Sequence, residues 1–371
     1  MREDGASTVT ADLISRARAG DGGAFREMTE PHLRELRVHC YRMLGSFADA
    51  EDALQETLLD AWQGLGGFEG RASIRTWLYR VATNRCLSTL RSASRRPALE
   101  WSVPGVRPPD PTRLGEVVWL EPFPDALLED APGAPLGPEA RYEQTESISL
   151  AFVSALQTLP PRQVAVLILR DVLGFRASEV AGLLDCSVES VNSALKRARA
   201  GLQRRRLAAD AEPAPAPGSA AEDAIVARFV SAYSCADIDA LVTLLTDDAF
   251  MSMPPMPLEY HGRDVVVGFC ASALFGSSRR FDLVPTRANG QPAFGSYLRA
   301  PAAPDGTRPG VGLIVIGLAG DRVCAMTRFE RSVLPRFGLP LSLPGARAFR
   351  PLAHFSRLQP PKSSYHLKYV G

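Results

Sequence analysis

Cysteine is scarce and scattered: six residues in 371, at Cys40, Cys86, Cys186, Cys235, Cys270 and Cys324, with no CxxC pair among them. Such spacing offers neither a disulfide framework nor a zinc ribbon, and predicts buried thiols in a reducing compartment. Long apolar runs are missing too. The longest, Val311–Ala319, falls far short of the roughly 20 residues that a membrane helix needs. The opening MREDGASTVTADL has no apolar core and therefore does not read as a signal peptide. Net charge is almost absent, +1 overall from 42 basic and 41 acidic residues, so any electrostatic signal has to be local. These absences predict a soluble, cytoplasmic chain without membrane contact. The remaining composition, 46% hydrophobic and 22% charged, is that of a globular protein long enough for two or three cores.

Two segments interrupt the periodic pattern. Residues 97–146 hold ten of the thirty prolines and ten acids against three bases, an extended acidic linker. AADAEPAPAPGSAAED, at 208–223, is an Ala/Pro spacer. The expected division is a helical unit over 22–96, the linker over 97–146, a second helical unit over 147–206, a spacer over 207–221, a third unit over 222–340, and a basic proline-rich tail over 341–371 that reads as disordered. No internal repeat is present.

The first unit places Leu33, Leu36, Cys40 and Leu44, then Ala50, Leu54, Leu58 and Ala61, at helical spacing. GLGGFEG breaks the pattern at 64–70, and Ser73 caps a third helix that buries Ile74, Leu78 and Val81. Charge separates sharply here. Asp49–Trp62 carries five acids and no base, whereas Arg71–Arg96 carries seven arginines and no acid. Asp49, Asp52, Glu56 and Asp60 form one stripe, with Gln55 beside it. A solvated outer face is the plain alternative to a surface for a basic partner. On the following helix Trp77, Arg80, Asn84, Ser88, Arg91 and Arg95 lie roughly on one side, with Tyr79 and Arg85 flanking. Arginines supply phosphate contacts, Asn and Ser reach base edges, and Trp offers a stacking surface.

The second unit reads LPPRQVAVLILRDVLGFRASEVAGLLDCSVESVNSALKRAR. A short helix, a tight break at Asp185-Cys186 and a helix capped by Ser187 make a helix-turn-helix. Val188, Val191, Leu195 and Ala198 are expected inside. Ser190, Asn192, Ser193, Lys196, Arg197 and Arg199 are expected outside, the small polar residues toward base edges and the cations toward phosphates. An ordinary helical hairpin is the alternative. The third unit begins with helices and continues as alternating strands, with hairpin turns at Asn289-Gly290 and Gly320-Asp321. An α+β domain with an antiparallel sheet is expected.

DAEDALQETLLDAW, FEGRASIRTWLYRVATNRCL and the helix-turn-helix segment, in that order with a linker between, resemble the extracytoplasmic-function (ECF) sigma factors of bacterial RNA polymerase, within the sigma-70 family. The resemblance implies that Asp49, Asp52, Gln55, Glu56 and Asp60 dock on the clamp helices of the largest polymerase subunit. It implies further that residues 63–71, with Arg71, Arg75, Trp77, Arg80, Asn84, Arg85, Ser88 and Arg91, read the −10 promoter element and capture an extruded base. The helix from Ser187 would read the −35 element, near the polymerase flap, and the acidic linker would thread the polymerase cleft in place of RNA. The third unit resembles a SnoaL-like domain of the NTF2-like superfamily, a cone-shaped α+β fold, and the whole is similar to the sigma G type, with VVWLEPFPD in the linker and NGQPA at 289–293 as matching motifs. Trp119 and Leu120 are read as a linker docking site, expected against the third unit or the polymerase, and the third unit as a regulator acting in cis. Met253, Tyr260, His261 and Tyr297 are candidates for a pocket whose ligand is unknown; no spacing fixes an acid–base pair, and neither metal nor cofactor is expected. Two rival readings are a stand-alone helix-turn-helix regulator and a small-molecule enzyme housed in the third unit.

Overall fold

A computed structural model describes residues 3–70, 72–92, 101, 107–115, 119–129, 147–205, 212–299 and 306–344. Arg71, Arg95, parts of the linker and the tail after 344 lie outside these residues.

The chain opens with five helices: α1 (Glu3–Arg18), α2 (Gly22–Thr29), α3 (Leu33–Leu44), α4 (Phe47–Gly64) and α5 (Ile74–Ser92). Their boundaries follow local chemistry. Asp21 accepts from the amides of Gly23 and Ala24 to start α2, and Ser46 accepts from the Asp49 amide to start α4. Gly45, at φ 72°, closes α3 in the left-handed region that an L side chain resists. Of the expected core, Leu36, Cys40, Ala50, Ala61 and Leu78 are essentially inaccessible, and Leu33, Leu58 and Val81 are half-buried; Ala82 and Cys86 complete the core.

After the linker, which contributes the short helix α6 (Ala126–Glu129), come α7 (Leu150–Leu156), α8 (Pro161–Leu167, running on through a wider turn at Ile168–Val172), α9 (Ala177–Leu183) and α10 (Val188–Arg205). Asp185 adopts φ 47° in the break before α10, a conformation that Asp tolerates better than most residues. This is the expected helix-turn-helix.

The third unit opens with α11 (Ala220–Cys235) and α12 (Ile238–Leu244). It continues with strands β2 (Leu245–Met253) and β3 (Met256–His261), helix α13 (Arg263–Phe269), then β4 (Arg280–Ala288), β5 (Gln291–Arg299), β6 (Arg308–Ala319) and β7 (Arg322–Phe329). Both expected hairpins form; Asn289 and Gly290 at φ 57° and 73° make the tight turn between β4 and β5. The sheet departs from the expectation in two ways. Strand β2 runs parallel to β7, because α13 and the later hairpins intervene between them in sequence. One edge of the sheet, opposite β4, is β1 (Arg113–Leu114), which belongs to the linker and pairs antiparallel with β3.

Alternation along the strands gives the sheet two different faces. On the inner face Phe294, Ile314, Ile316 and Met326 pack against Phe229, Tyr233 and Phe269. Rings fill this cone: Phe229 lies 5.5 Å from Phe294, and Tyr233 lies 5.1 Å from Phe275 and 5.8 Å from Phe281. The outer face, with Ala293, Tyr297, Leu313, Val315 and Phe329, carries a 3-10 turn at Arg331–Phe337. It merges into one apolar cluster with the cores of both helical units.

Candidate nucleic-acid and polymerase interface

Helix α4 presents the acidic stripe to solvent. Asp52, Gln55 and Glu56 are exposed and Asp49 and Asp60 are half-buried. Leu59, at 53% exposure, stands beside them, an apolar element that charge reading alone does not single out. One end of the stripe is already partnered. Arg85 of α5 pairs with Asp60 and, at 3.3 Å, with Glu56.

The arginine face of α5 is engaged as well. Arg75 pairs with Glu35 at 2.9 Å and lies over the rings of Tyr79 and Phe175 at 5.0 and 5.5 Å. Partial burial works against the Glu35 carboxylate, but hydrogen bonds from His32 and Arg75 outweigh it and hold the group below the usual carboxylate range. Arg80 pairs with Asp185, in the turn of the helix-turn-helix, at 3.1 Å. Trp77 packs on Phe68 at 5.1 Å. Asn84, Ser88 and Arg91 remain exposed.

Helix α10 differs. Ser187 caps it by accepting from the Ser190 amide at 3.2 Å. Ser190, Asn192, Ser193, Lys196 and Arg197 are exposed, Ser190 accepts from the Ser187 hydroxyl at 3.2 Å, and Arg199 is bidentate to Asp171 at 2.7 and 2.8 Å. Val191, Leu195 and Ala198 are inside as expected, but Val188 is 37% exposed. It sits in the first turn, before the helix reaches its bed against α8.

The two helical units touch. Phe175 meets Tyr79 edge-on at 5.4 Å, and Arg42 donates to the Ser147 carbonyl at 3.0 Å. Burial pushes the Arg42 guanidinium down to about 10. A Cβ on Gly45 would displace the Gln157 side-chain amide, and the φ of 72° there favours glycine.

The third unit is bolted to this pair through the hairpin tip. Asn289 is fully buried. Its side-chain carbonyl accepts from the Phe123 amide at 2.8 Å, and its amide donates to Tyr41 Oη at 2.8 Å and to the Ile148 carbonyl at 2.6 Å. One side chain thus joins the first helical unit, the linker and the start of the second. Burial pushes the Tyr41 phenol up, which keeps it a neutral hydroxyl for this network. Around the tip, the Gly290 amide donates to Asp125 at 2.8 Å, the Leu150 amide donates to Gln291 at 3.1 Å, and Arg287 bridges Glu222 and Asp125 at 2.8 and 3.5 Å.

The described parts of the linker are held as well. Thr112 and Gly115 donate their amides to the Glu259 and Pro257 carbonyls at 2.9 Å each, Tyr260 donates to the Pro109 carbonyl at 2.9 Å, and Trp101 packs edge-on to Phe269 at 5.9 Å. Leu120 is 6% exposed and Phe123 wholly buried, while Trp119 is half-buried. Glu121 accepts from the Ala48 amide at the start of α4 and from Arg336 of the third unit at 2.6 Å.

The candidate pocket residues do not converge. Met253 and Tyr260 line the inner side of the sheet, where burial and the Pro109 contact hold Tyr260, its phenol raised to about 12 by burial. His261 lies on the opposite face, over the Phe250 ring at 4.6 Å. Tyr297 is on the outer face of β5 and donates to the Pro340 carbonyl at 2.8 Å. Adjacent strand residues point to opposite faces, which separates the pair that sequence proximity joined. Among the described residues no group of His, Cys, Asp and Glu could hold a metal ion, and no helix is long and apolar enough to cross a membrane.

A helix-turn-helix behind an arginine helix, with a separate acidic stripe, is the arrangement expected of a sigma factor, and comparison with known proteins shows the family. Residues 28–96 match the family described as Sigma-70 region 2, and residues 149–202 match Sigma-70, region 4. The chain belongs to the ECF RNA polymerase sigma factors. It is 43% identical over 332 residues to ECF RNA polymerase sigma factor SigG of Mycobacterium tuberculosis, covering 86% of this chain and 85% of that protein. ECF RNA polymerase sigma factor SigM of the same organism is 29% identical over 194 residues, 52% of this chain and 83% of the relative. Among solved structures, the Mycobacterium tuberculosis extracytoplasmic function sigma factor SigJ superposes with a TM-score of 0.53 at 21% identity, over 84% of this chain and 98% of that one. The shared fold thus extends through the third unit. The chain is a sigma factor, a protein of transcription initiation that binds core RNA polymerase and promoter DNA.

Proposed function

We propose that the third unit controls this sigma factor in cis by holding its two DNA-reading units and their linker in a closed arrangement. The observation that carries the proposal is the buried Asn289, which satisfies three groups from three segments at once. Breaking it leaves buried donors and acceptors unmade, at about 1–3 kcal/mol for each group.

In the proposal Asp52, Gln55 and Glu56 dock on the polymerase clamp helices with Asp49 and Asp60 at the ends of the stripe, and Leu59 adds apolar contact. The α5 face reads the −10 element and the α10 face the −35 element. Asp185 competes with a promoter phosphate for Arg80, so −10 reading weakens this contact between the two units. A linker paired as β1 along β3 is not available to the polymerase cleft. Opening therefore releases two functions at one step.

The third unit acts without catalysis. Support comes from its inner face, packed with aromatic rings, and from the scattering of Met253, Tyr260, His261 and Tyr297 over two faces. The test is run-off transcription with sigma-free core polymerase. Full-length chain is compared with Asn289→Ala on a promoter selected by the wild-type holoenzyme. Higher promoter-dependent output from the variant at equal polymerase supports control in cis; unchanged output with an intact fold refutes it.

A further inference from the structure

The loop between α4 and α5 has little of its own to fix it. It contains Gly64, Gly66, Gly67 and Gly70, with Gly70 at φ 72° and open space around Gly66, Gly67 and Gly70. Glycine leaves backbone freedom that something else must remove. Just past α4, the Leu65 and Phe68 carbonyls lie beyond the helix's own ladder and also need donors.

Both needs are met from outside the segment that matches region 2. Arg18, in the last turn of α1, donates from Nε to the Leu65 carbonyl at 3.3 Å and from Nη2 to the Phe68 carbonyl. A guanidinium is the fitting group, because it offers several donors in one rigid fork and places positive charge at the negative end of α4. Helix α1 is itself anchored, with Leu13 and Ala17 buried in the unit's core. Phe68, fixed through its carbonyl and through its own amide bond to the Leu65 carbonyl at 3.2 Å, turns its ring onto Trp77 at 5.1 Å. A connected path therefore runs from Arg18 through Phe68 to the aromatic surface at the start of α5.

We infer that Arg18 is a positioning residue for −10 recognition: it sets the loop and, through Phe68, the Trp77 face against which an unstacked promoter base packs. The inference rests on the reading of that loop and α5 as the −10 reader. Arg18 touches no base in this role, so its removal changes which bases are accepted, not whether polymerase is bound.

The experiment uses full-length wild type, Arg18→Ala and Arg18→Lys, each assembled with core polymerase. The probe is a promoter selected by the wild-type holoenzyme from a library randomised in both elements, together with its single-base −10 and −35 variants. Open-complex formation is read by permanganate reactivity, polymerase affinity by titration, and fold by thermal melting. Expected is a loss of about tenfold in discrimination among −10 variants for Arg18→Ala, of the order of one base contact. Discrimination at −35 and polymerase affinity stay within about twofold, and Arg18→Lys, which keeps a donor and the charge, recovers part of the loss. Equal −10 discrimination in wild type and Arg18→Ala overturns the inference. So does a parallel loss at −10, at −35 and in polymerase affinity, which marks Arg18 as support for the fold alone. A wild-type holoenzyme indifferent to every −10 substitution overturns the reading of the loop itself, and the inference with it.

Discussion

Helices α5 and α10 carry the same chemistry and stand in opposite conditions. On α5, Arg75, Arg80 and Arg85 each have a carboxylate partner, and Arg80 finds its partner in the other DNA-reading unit. On α10, Ser190, Asn192, Ser193, Lys196 and Arg197 face solvent, and among the described residues Arg199 is the one of these cations with an ion pair. The acidic stripe of α4 resembles α10 in keeping Asp52, Gln55 and Glu56 exposed. The difference shows what the closed arrangement withholds. It occupies the surface proposed for the −10 element and sequesters the linker, while leaving the surfaces proposed for polymerase and for −35 DNA accessible. A factor closed in this way can be captured by polymerase before it engages the −10 element.

The sharpest way to break the comparison is to remove the accessible surface. Asp52→Lys with Glu56→Lys places like charge against a basic partner, and polymerase affinity should fall about 100-fold or more, with promoter-fragment binding unchanged in a gel-shift assay. A fall in both would show that the stripe supports the fold and not the docking. Next in size is the seam between the helical units. Gly45→Ala forces a side chain into the left-handed region and against Gln157, costing about 1–2 kcal/mol; calorimetry should register a lower melting temperature. An unchanged transition would remove Gly45 from the seam. A smaller effect is expected from Asp185→Asn, which keeps the tight turn but releases Arg80. The pair is exposed and contributes no more than about 1 kcal/mol. DNA affinity of the free chain should rise by severalfold at most, and no rise would mean that Arg80 is not held back by Asp185.

The smallest effect concerns pH. Burial pushes His39 from 6.5 down to about 3, so it is neutral in the folded chain where the unfolded chain takes up a proton. The stability it contributes is full above about 6.5 and is lost as pH falls toward about 3. Melting temperature should therefore drop between pH 6.5 and 5 in wild type and drop less in His39→Gln. Equal slopes would assign the acid sensitivity elsewhere.

Much of this was legible in the sequence because local chemistry marks it. Helical spacing, the Ser73 and Ser187 caps, the Asp185 break and the Asn289-Gly290 turn each depend on a few neighbouring residues. Charge segregation between α4 and α5 was visible, but not that Arg85 bridges the two, since that depends on how the helices pack. Val188 followed the apolar spacing and yet lies exposed, because the first turn of α10 overhangs its support. Strand β1 was hidden by the prolines around it: a two-residue strand has no periodicity of its own and exists only because the β3 edge supplies its partners. Tyr260 and His261 were grouped by proximity in the chain, and the strand alternation parts them; Tyr297 was chosen by residue type and stands on the outer face of another strand. The NGQPA motif marked the hairpin tip; that its asparagine joins three segments is a long-range fact that no local pattern contains.

The central claim is that Asn289 holds the chain closed, and small-angle scattering of the free full-length protein tests it most directly. Wild type should give a compact profile, and Asn289→Ala a larger radius of gyration with its secondary structure intact. Superimposable profiles from the two proteins would contradict the account.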